Sequence, residues 1–140
     1  MLNGMKVKHI CILVFCLLRM PASAQKFFMC FKNDSNLELA LTVAFDAKTE
    51  KAVFVKYKGQ NETIPLFYSK QSVLNKGYAA YETTYIEKYR GKQTGTYIFT
   101  HSGNGEYIKY FRKKDNKTFS FTIDLDASVE HETYRKTPCY

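Results

Sequence analysis

The sequence has no tryptophan, and its 140 residues include only three prolines and seven glycines. It also has no internal repeat and no low-complexity run, and its longest apolar stretch, residues 10–18, is nine residues long. These absences exclude collagen-like, coiled-coil and disordered chains, and no membrane span is expected because a spanning helix needs about 20 apolar residues. The chain does have eleven Phe and eleven Tyr, which supply enough apolar surface for one globular domain.

The first 24 residues have the pattern of a secretory signal peptide. Lys6, Lys8 and His9 precede the apolar stretch 10–18. The small residues Ala22 and Ala24 then form a small-x-small cleavage signature directly before Gln25. The pattern predicts a signal peptide over 1–24 and a single exported domain over 25–140. We therefore expect the mature protein to be secreted or periplasmic.

Removal of the signal peptide leaves two of the four cysteines, Cys30 and Cys139, one near each end of the mature chain. Disulfides persist in exported proteins, so we predict that these two residues pair. A reactive thiol or a metal ligand is the alternative. Neither cysteine lies in a C-x-x-C motif or at ligand spacing from a histidine.

Basic residues outnumber acidic ones in the mature chain, 18 to 13, once Lys6, Lys8 and Arg19 are removed, which gives a net charge of +5. Three of the bases, Arg112, Lys113 and Lys114, stand together before a predicted turn. Basic turns near tyrosines can hold an envelope or extracellular protein or an anionic glycan. Export argues against nucleic acid as the partner. The alternative is that these bases keep the protein soluble.

Alternation of apolar and polar residues predicts an all-β fold. Leu37, Leu39, Leu41, Val43 and Phe45, for example, alternate with mostly polar or small residues, as in a strand with one buried face. The same reasoning predicts eight strands, at 26–32, 37–45, 52–58, 62–68, 79–89, 96–100, 106–112 and 118–124. Their short connections indicate an antiparallel meander that closes into a small barrel, fully or partly, with a shallow pocket at most. A two-sheet sandwich is the alternative.

The sequence offers little catalytic chemistry. His101 and His131 are the only histidines of the mature chain, and neither belongs to an H-E-x-x-H or G-x-S-x-G motif. Neighbouring residues of a strand point to opposite faces, so His101 is not expected to activate Ser102. We predict no catalytic residue and no cofactor. A small hydrolase is the alternative, in which a histidine would work with one of four acids: Glu106, Asp124, Asp126 or Glu130.

An acidic run near the C-terminus resembles the start of a calcium-binding loop, with Asp124, Asp126 and Ser128 at alternate positions. The loop also needs glycine at its sixth position and glutamate at its twelfth, where this chain has Val129 and Arg135. We therefore predict no metal site and interpret the run as a solvated strand end.

The remaining candidate binding residues lie in one predicted hairpin: His101, Ser102, Asn104 and Tyr107. The segment Ser102-Gly103-Asn104-Gly105-Glu106-Tyr107, the predicted barrel and the two terminal cysteines resemble the bacterial envelope inhibitors of c-type lysozyme, in which a Ser-Gly-x-x-Tyr segment and a later Lys-Gly turn enter the enzyme. In this chain three residues, and not two, separate Ser102-Gly103 from Tyr107, and no Lys-Gly turn follows the segment. The resemblance therefore implies a shared architecture, and an inhibitor is an alternative function. We expect a non-enzymatic binding protein.

Overall fold

The computed structural model describes residues 23–103 and 105–140. Most of the predicted signal peptide, residues 1–22, and the candidate residue Asn104 lie outside the described residues. Ser23, Ala24 and Gln25 precede the first strand in irregular, exposed conformation.

Eight antiparallel strands form a closed barrel in which each strand pairs with the next and β8 pairs with β1. The strands are β1 (Lys26–Asn33), β2 (Ala40–Asp46), β3 (Ala52–Tyr57), β4 (Ile64–Asn75), β5 (Ala80–Tyr89), β6 (Lys92–Ser102), β7 (Gly105–Arg112) and β8 (Lys117–Ile123). The predicted eight-stranded meander is confirmed, as a closed barrel and not a sandwich.

In β5, β6 and β7 the alternation predicted from the sequence separates the inside of the barrel from the outside, whereas β2, expected to bury one face, is buried on both. In β6, for example, Tyr97 and Phe99 are buried whereas Thr96 and Ile98 are only partly covered. Apolar side chains from every strand meet in one core. Its most deeply buried members are Phe31, Leu41, Val43, Val55, Tyr97, Ile108 and Phe121.

Three strand boundaries differ from the sequence prediction by three residues or more. One is the start of β6, which lies at Lys92 and not at residue 96. β2 begins at Ala40 and not at residue 37, because the Asn33 side chain accepts hydrogen bonds from the backbone N–H groups of Ser35 and Asn36 and closes a turn there. β4 continues to Asn75, seven residues beyond the predicted end. It pairs with β3 at only two positions, Ile64 and Pro65. Its extension forms with β5 a hairpin of residues 67–86, which we call the arm.

The C-terminal tail folds back along β1. It contains a one-turn helix, α1 (Leu125–Ser128), and the two short strands β9 (Val129–Glu130) and β10 (Thr133–Tyr134). The buried Ser128 hydroxyl accepts the backbone N–H of Cys30 at 2.8 Å. A disulfide joins Cys30 to Cys139, with 5.8 Å between the Cα atoms. The tail is therefore held against the barrel by covalent and hydrogen bonds.

The acidic run is not a free strand end. Asp124 caps α1 by accepting the N–H of Ala127, and it forms an ion pair with Lys32, which lowers the pKa of the Asp124 carboxyl. Within residues 23–103 and 105–140, no three His, Cys, Asp or Glu side chains are grouped so that they could hold a metal ion. No helix in this part of the chain is both long and apolar enough to cross a membrane.

Candidate functional site

Alternate turns of the meander lie at opposite ends of the barrel, and each end has its own group of polar side chains. The β2–β3, β4–β5 and β6–β7 turns lie at the end near His101, which we call the histidine end. The β1–β2, β3–β4, β5–β6 and β7–β8 connections lie at the other end, near Glu87, which we call the glutamate end.

The histidine end has a partly enclosed cavity of about 260 Å³. Its walls are mainly aromatic side chains of β1, β2, β5 and β6, among them Phe27, Phe45, Tyr85 and Phe99. They pack on one another: Phe27 stacks on Phe45 with 5.1 Å between ring centroids, and Tyr85 contacts Phe99 at 5.0 Å. The middle of the barrel is thus filled by side chains, as expected, and the space opens only towards the ends.

A histidine–glutamate pair lies in the wall of this cavity. His101 and Glu106 are directly opposite each other in the β6–β7 ladder, and their side chains are in contact through Nδ1 and Oε1. A carboxylate accepts, so Nδ1–H donates and Nε2 is the free ring nitrogen. Burial raises the pKa of Glu106, and the neighbouring His101 opposes this shift. Tyr81 stacks on the imidazole at 4.9 Å and fixes its plane.

The structure separates the other residues of the predicted hairpin site. Tyr107 lines the cavity with His101, whereas the exposed Ser102 does not. His131 lies in the β9–β10 turn with left-handed backbone, is exposed, and is not part of the cavity wall. Among the four acids considered with the histidines, Glu106 is therefore the one that contacts an imidazole.

The glutamate end contains a buried carboxylate that the sequence analysis missed. Glu87 is only 6% exposed, and it accepts hydrogen bonds from the hydroxyls of Thr94, Tyr97 and Tyr110 at 2.7, 3.2 and 3.0 Å. A further hydroxyl, that of Tyr57, bonds to Tyr97 at 3.0 Å. The signal was present in β5, where Thr83, Tyr85 and Glu87 occupy alternate positions that all face inward.

Burial makes these phenols weak acids. It raises the pKa of Tyr57 to about 12 and also raises the pKa values of Tyr97 and Tyr110, and the nearby Glu87 carboxylate adds to all three shifts. The three hydroxyls therefore remain protonated at neutral pH and can donate to one another and to Glu87.

The predicted basic residues surround the mouth above Glu87. Arg112, Lys113 and Lys114, together with Lys92, line an open cavity of about 640 Å³ whose floor includes Glu87 and Tyr110. Arg112 is already paired, because it makes two hydrogen bonds to Asp115, at 3.0 and 2.8 Å, and lies over the Phe119 ring. Lys92, Lys113 and Lys114 are exposed and enlarge the positive field of the mouth.

The two groups of predicted binding residues are not brought together. His101 is opposite Glu106 near the start of β7, whereas Arg112 is the last residue of β7, and the six residues from Glu106 to Arg112 span about 20 Å. One small ligand could not touch both groups. The barrel therefore has two separate candidate sites.

Replacing Gly95 by alanine tests how rigid the glutamate end is. A Cβ atom at this position would clash with the buried Tyr110 ring. That ring stacks on Tyr97 with 4.3 Å between ring centroids, and its hydroxyl donates a hydrogen bond to Glu87. Because the ring cannot move without breaking these contacts, we expect the free energy of unfolding in urea to fall by about 2 kcal/mol.

Gly105→Ala is the matched control. Its Cβ would meet the Tyr107 ring at 2.6 Å, but Tyr107 is 45% exposed and can rotate away into solvent. The control should cost less than about 0.5 kcal/mol, as for most surface substitutions. Equal losses in the two variants would show that the Tyr110 network is not rigid.

The chain was compared with protein-family models, with curated proteins and with solved structures, and none of the three comparisons finds a match.

Proposed function

We propose that this chain is an exported, non-enzymatic binding protein whose ligand occupies the cavity at the histidine end. The ligand class is a small, mostly apolar molecule with one hydrogen-bonding group. The observation that supports this is the cavity itself, whose walls are mainly aromatic and whose few other polar groups are the His101–Glu106 pair, Glu50 and Thr83. Ligand sites of soluble proteins have this composition, with predominantly apolar lining and few polar groups that fix orientation.

The size and chemistry of the cavity define the ligand further. A volume of about 260 Å³ lies just below the usual range of drug-sized pockets and suits a molecule of one or two rings. Aromatic walls favour a flat ring, because stacking adds to the burial of apolar surface. The free Nε2 of His101 can accept a hydrogen bond from the polar group of the ligand.

Export is supported by the disulfide between Cys30 and Cys139, which persists in oxidising compartments. The basic mouth at the glutamate end supports contact with an envelope or extracellular protein, or with an anionic glycan, at Lys113 and Lys114. Such contact would be independent of the aromatic cavity because the two sites are at opposite ends.

Binding of 1-naphthylamine, a neutral two-ring fluorescent dye with an N–H group, tests the proposal through its fluorescence. We expect the protein to bind one dye molecule. Replacing the inward-facing Thr83 by phenylalanine should fill the cavity and raise the dissociation constant of the dye at least about tenfold. A tenfold rise corresponds to a loss of about 1.4 kcal/mol of binding free energy. His101→Ala should weaken binding only a few-fold, because the walls supply most of the affinity.

The control is a triple variant with Arg112, Lys113 and Lys114 replaced by glutamine, which changes only the opposite end and should bind the dye unchanged. Circular dichroism would verify that Thr83→Phe is folded. Dye binding that survives Thr83→Phe in the folded protein, or that is lost in the triple variant, would place the ligand outside the cavity.

A hydrolase is the second candidate, and the contact between His101 and Glu106 favours it. A carboxylate that orients an imidazole is the arrangement of a general base, which could activate a water molecule. The described lining of the cavity contains no serine or cysteine that could act as the nucleophile. Turnover of chromogenic esters or glycosides that disappears in His101→Ala and survives in the triple variant would establish the enzyme in place of the binding protein.

A further inference from the structure

The arm has a free strand edge. Within residues 23–103 and 105–140, the part of β4 that follows Pro65 pairs with β5 and with no other strand. The register with β3 places Ala52, its first residue, opposite Phe67, so the second edge of β4 has no neighbouring strand over residues 68–75. The Lys51 side chain lies over the Tyr68 ring at the start of this edge. An edge of this length presents a row of backbone N–H and C=O groups that can pair with another strand.

Large apolar side chains lie along this edge and are exposed. Phe67 and Tyr68 are 47% and 44% exposed at its start, and Val73 and Leu74 are 64% and 53% exposed at its end. Tyr78, at the tip of the arm, is 76% exposed. These residues form two apolar groups on either side of the polar segment 69–72. Single exposed apolar residues are ordinary, but two such groups on one unpaired strand indicate a surface that associates with another chain.

The sequence of this edge is complementary to itself. Two bulges, at Ser69 and Leu74, interrupt the ladder with β5, so Tyr68, Gln71 and Val73 face the same side of the arm. When two copies run antiparallel about Gln71, Tyr68 meets the partner's Val73 on that side. Lys70 meets the partner's Ser72 on the other side, so no lysine opposes a lysine. Cross-strand pairs of an aromatic and a β-branched residue stabilise sheets.

We infer that two copies of this chain associate through the free edge of β4, which pairs with itself in antiparallel orientation about Gln71. The dimer has a two-fold axis, and the arms of the two barrels form one continuous sheet across it. One strand pair with its flanking aromatic side chains makes a small interface, so the dissociation constant lies in the micromolar range. Because the chain carries an excess of positive charge, salt strengthens the dimer by screening the repulsion between copies.

The test is the molar mass of the purified protein, measured by light scattering or analytical ultracentrifugation at about 100 µM, where a micromolar dimer is populated. We expect a dimer that dissociates on dilution. Gln71→Lys places two lysines opposite each other at the axis and should raise the dissociation constant about tenfold or more. Gln60→Lys, the same change in the exposed β3–β4 loop at the far end, should leave the dimer intact.

A mixture of two variants makes the test specific for the pairing. Gln71→Lys mixed with Gln71→Glu should recover association, because opposite charges then meet at the axis. A protein that stays monomeric at this concentration would overturn the inference and leave the edge for a different chain. A dimer that is insensitive to Gln71→Lys, or that the mixture does not recover, would also overturn it, because the interface would then lie elsewhere.

Discussion

Replacing Cys30 and Cys139 together by alanine is expected to lower the free energy of unfolding by about 4 kcal/mol. The disulfide joins residues 109 apart and so closes almost the whole described chain into one loop. A cross-link of this span greatly reduces the conformational entropy of the unfolded state. In the chain-entropy model this raises the free energy of unfolding by about 4.7 kcal/mol at 25 °C. Alanine leaves no thiol to react and adds no polar atom at the fully buried position 30.

Urea denaturation of the two proteins measures this loss. The variant should unfold at lower urea concentration and with a steeper dependence on urea, since its unfolded chain is less compact. Wild-type protein under reducing conditions should show the same shift, which serves as the control for the substitutions themselves. A loss below about 1 kcal/mol would mean that the hydrogen bonds of the tail, such as Cys139 N–H to Thr42 Oγ1, hold the ends together without the disulfide.

The strands were predictable because their signal is local. A period of two in apolar residues needs only neighbouring positions, and the barrel keeps that period in β5, β6, β7 and β8. The arm was missed because its signal is absent: two bulges break the period after Tyr68, and the residues beyond it are exposed on both faces. A strand that buries neither face has no amphipathic pattern to be found.

Of the two candidate sites, one depends on residues that are close in the sequence and the other on residues that are far apart. His101 and Glu106 are five residues apart and pair on adjacent strands, so a correct hairpin prediction already places them together. The Glu87 network depends on the closed barrel, since Tyr57 is 40 residues from its partner Tyr97 and Tyr110 is 23 residues from Glu87. The sequence shows which residues face inward but not which of them meet across the barrel.

Replacing Glu87 is also expected to lower the stability of the barrel. Glu87→Ala removes the carboxylate that accepts hydrogen bonds from three hydroxyl groups. One of these donors is the hydroxyl of Tyr110, a residue that is only 7% exposed. A buried donor left without an acceptor costs about 1–3 kcal/mol, and we expect a total loss of about 3 kcal/mol in urea denaturation. Glu87→Gln keeps the shape and one acceptor oxygen and should cost about 1 kcal/mol.

The control is Glu82→Ala, which removes a carboxylate from the outward face of the same strand and should cost less than about 0.5 kcal/mol. An alkaline titration of tyrosine absorbance provides a second measurement. Burial raises the pKa of Tyr57 to about 12, and the Glu87 carboxylate adds to this shift because it disfavours a second negative charge nearby. Glu87→Gln removes that charge, so the pKa of Tyr57 should fall, whereas Glu82→Ala should leave it in place. A loss of stability without any change in this titration would mean that Glu87 acts by filling space, and that the polar floor of the mouth has no electrostatic role.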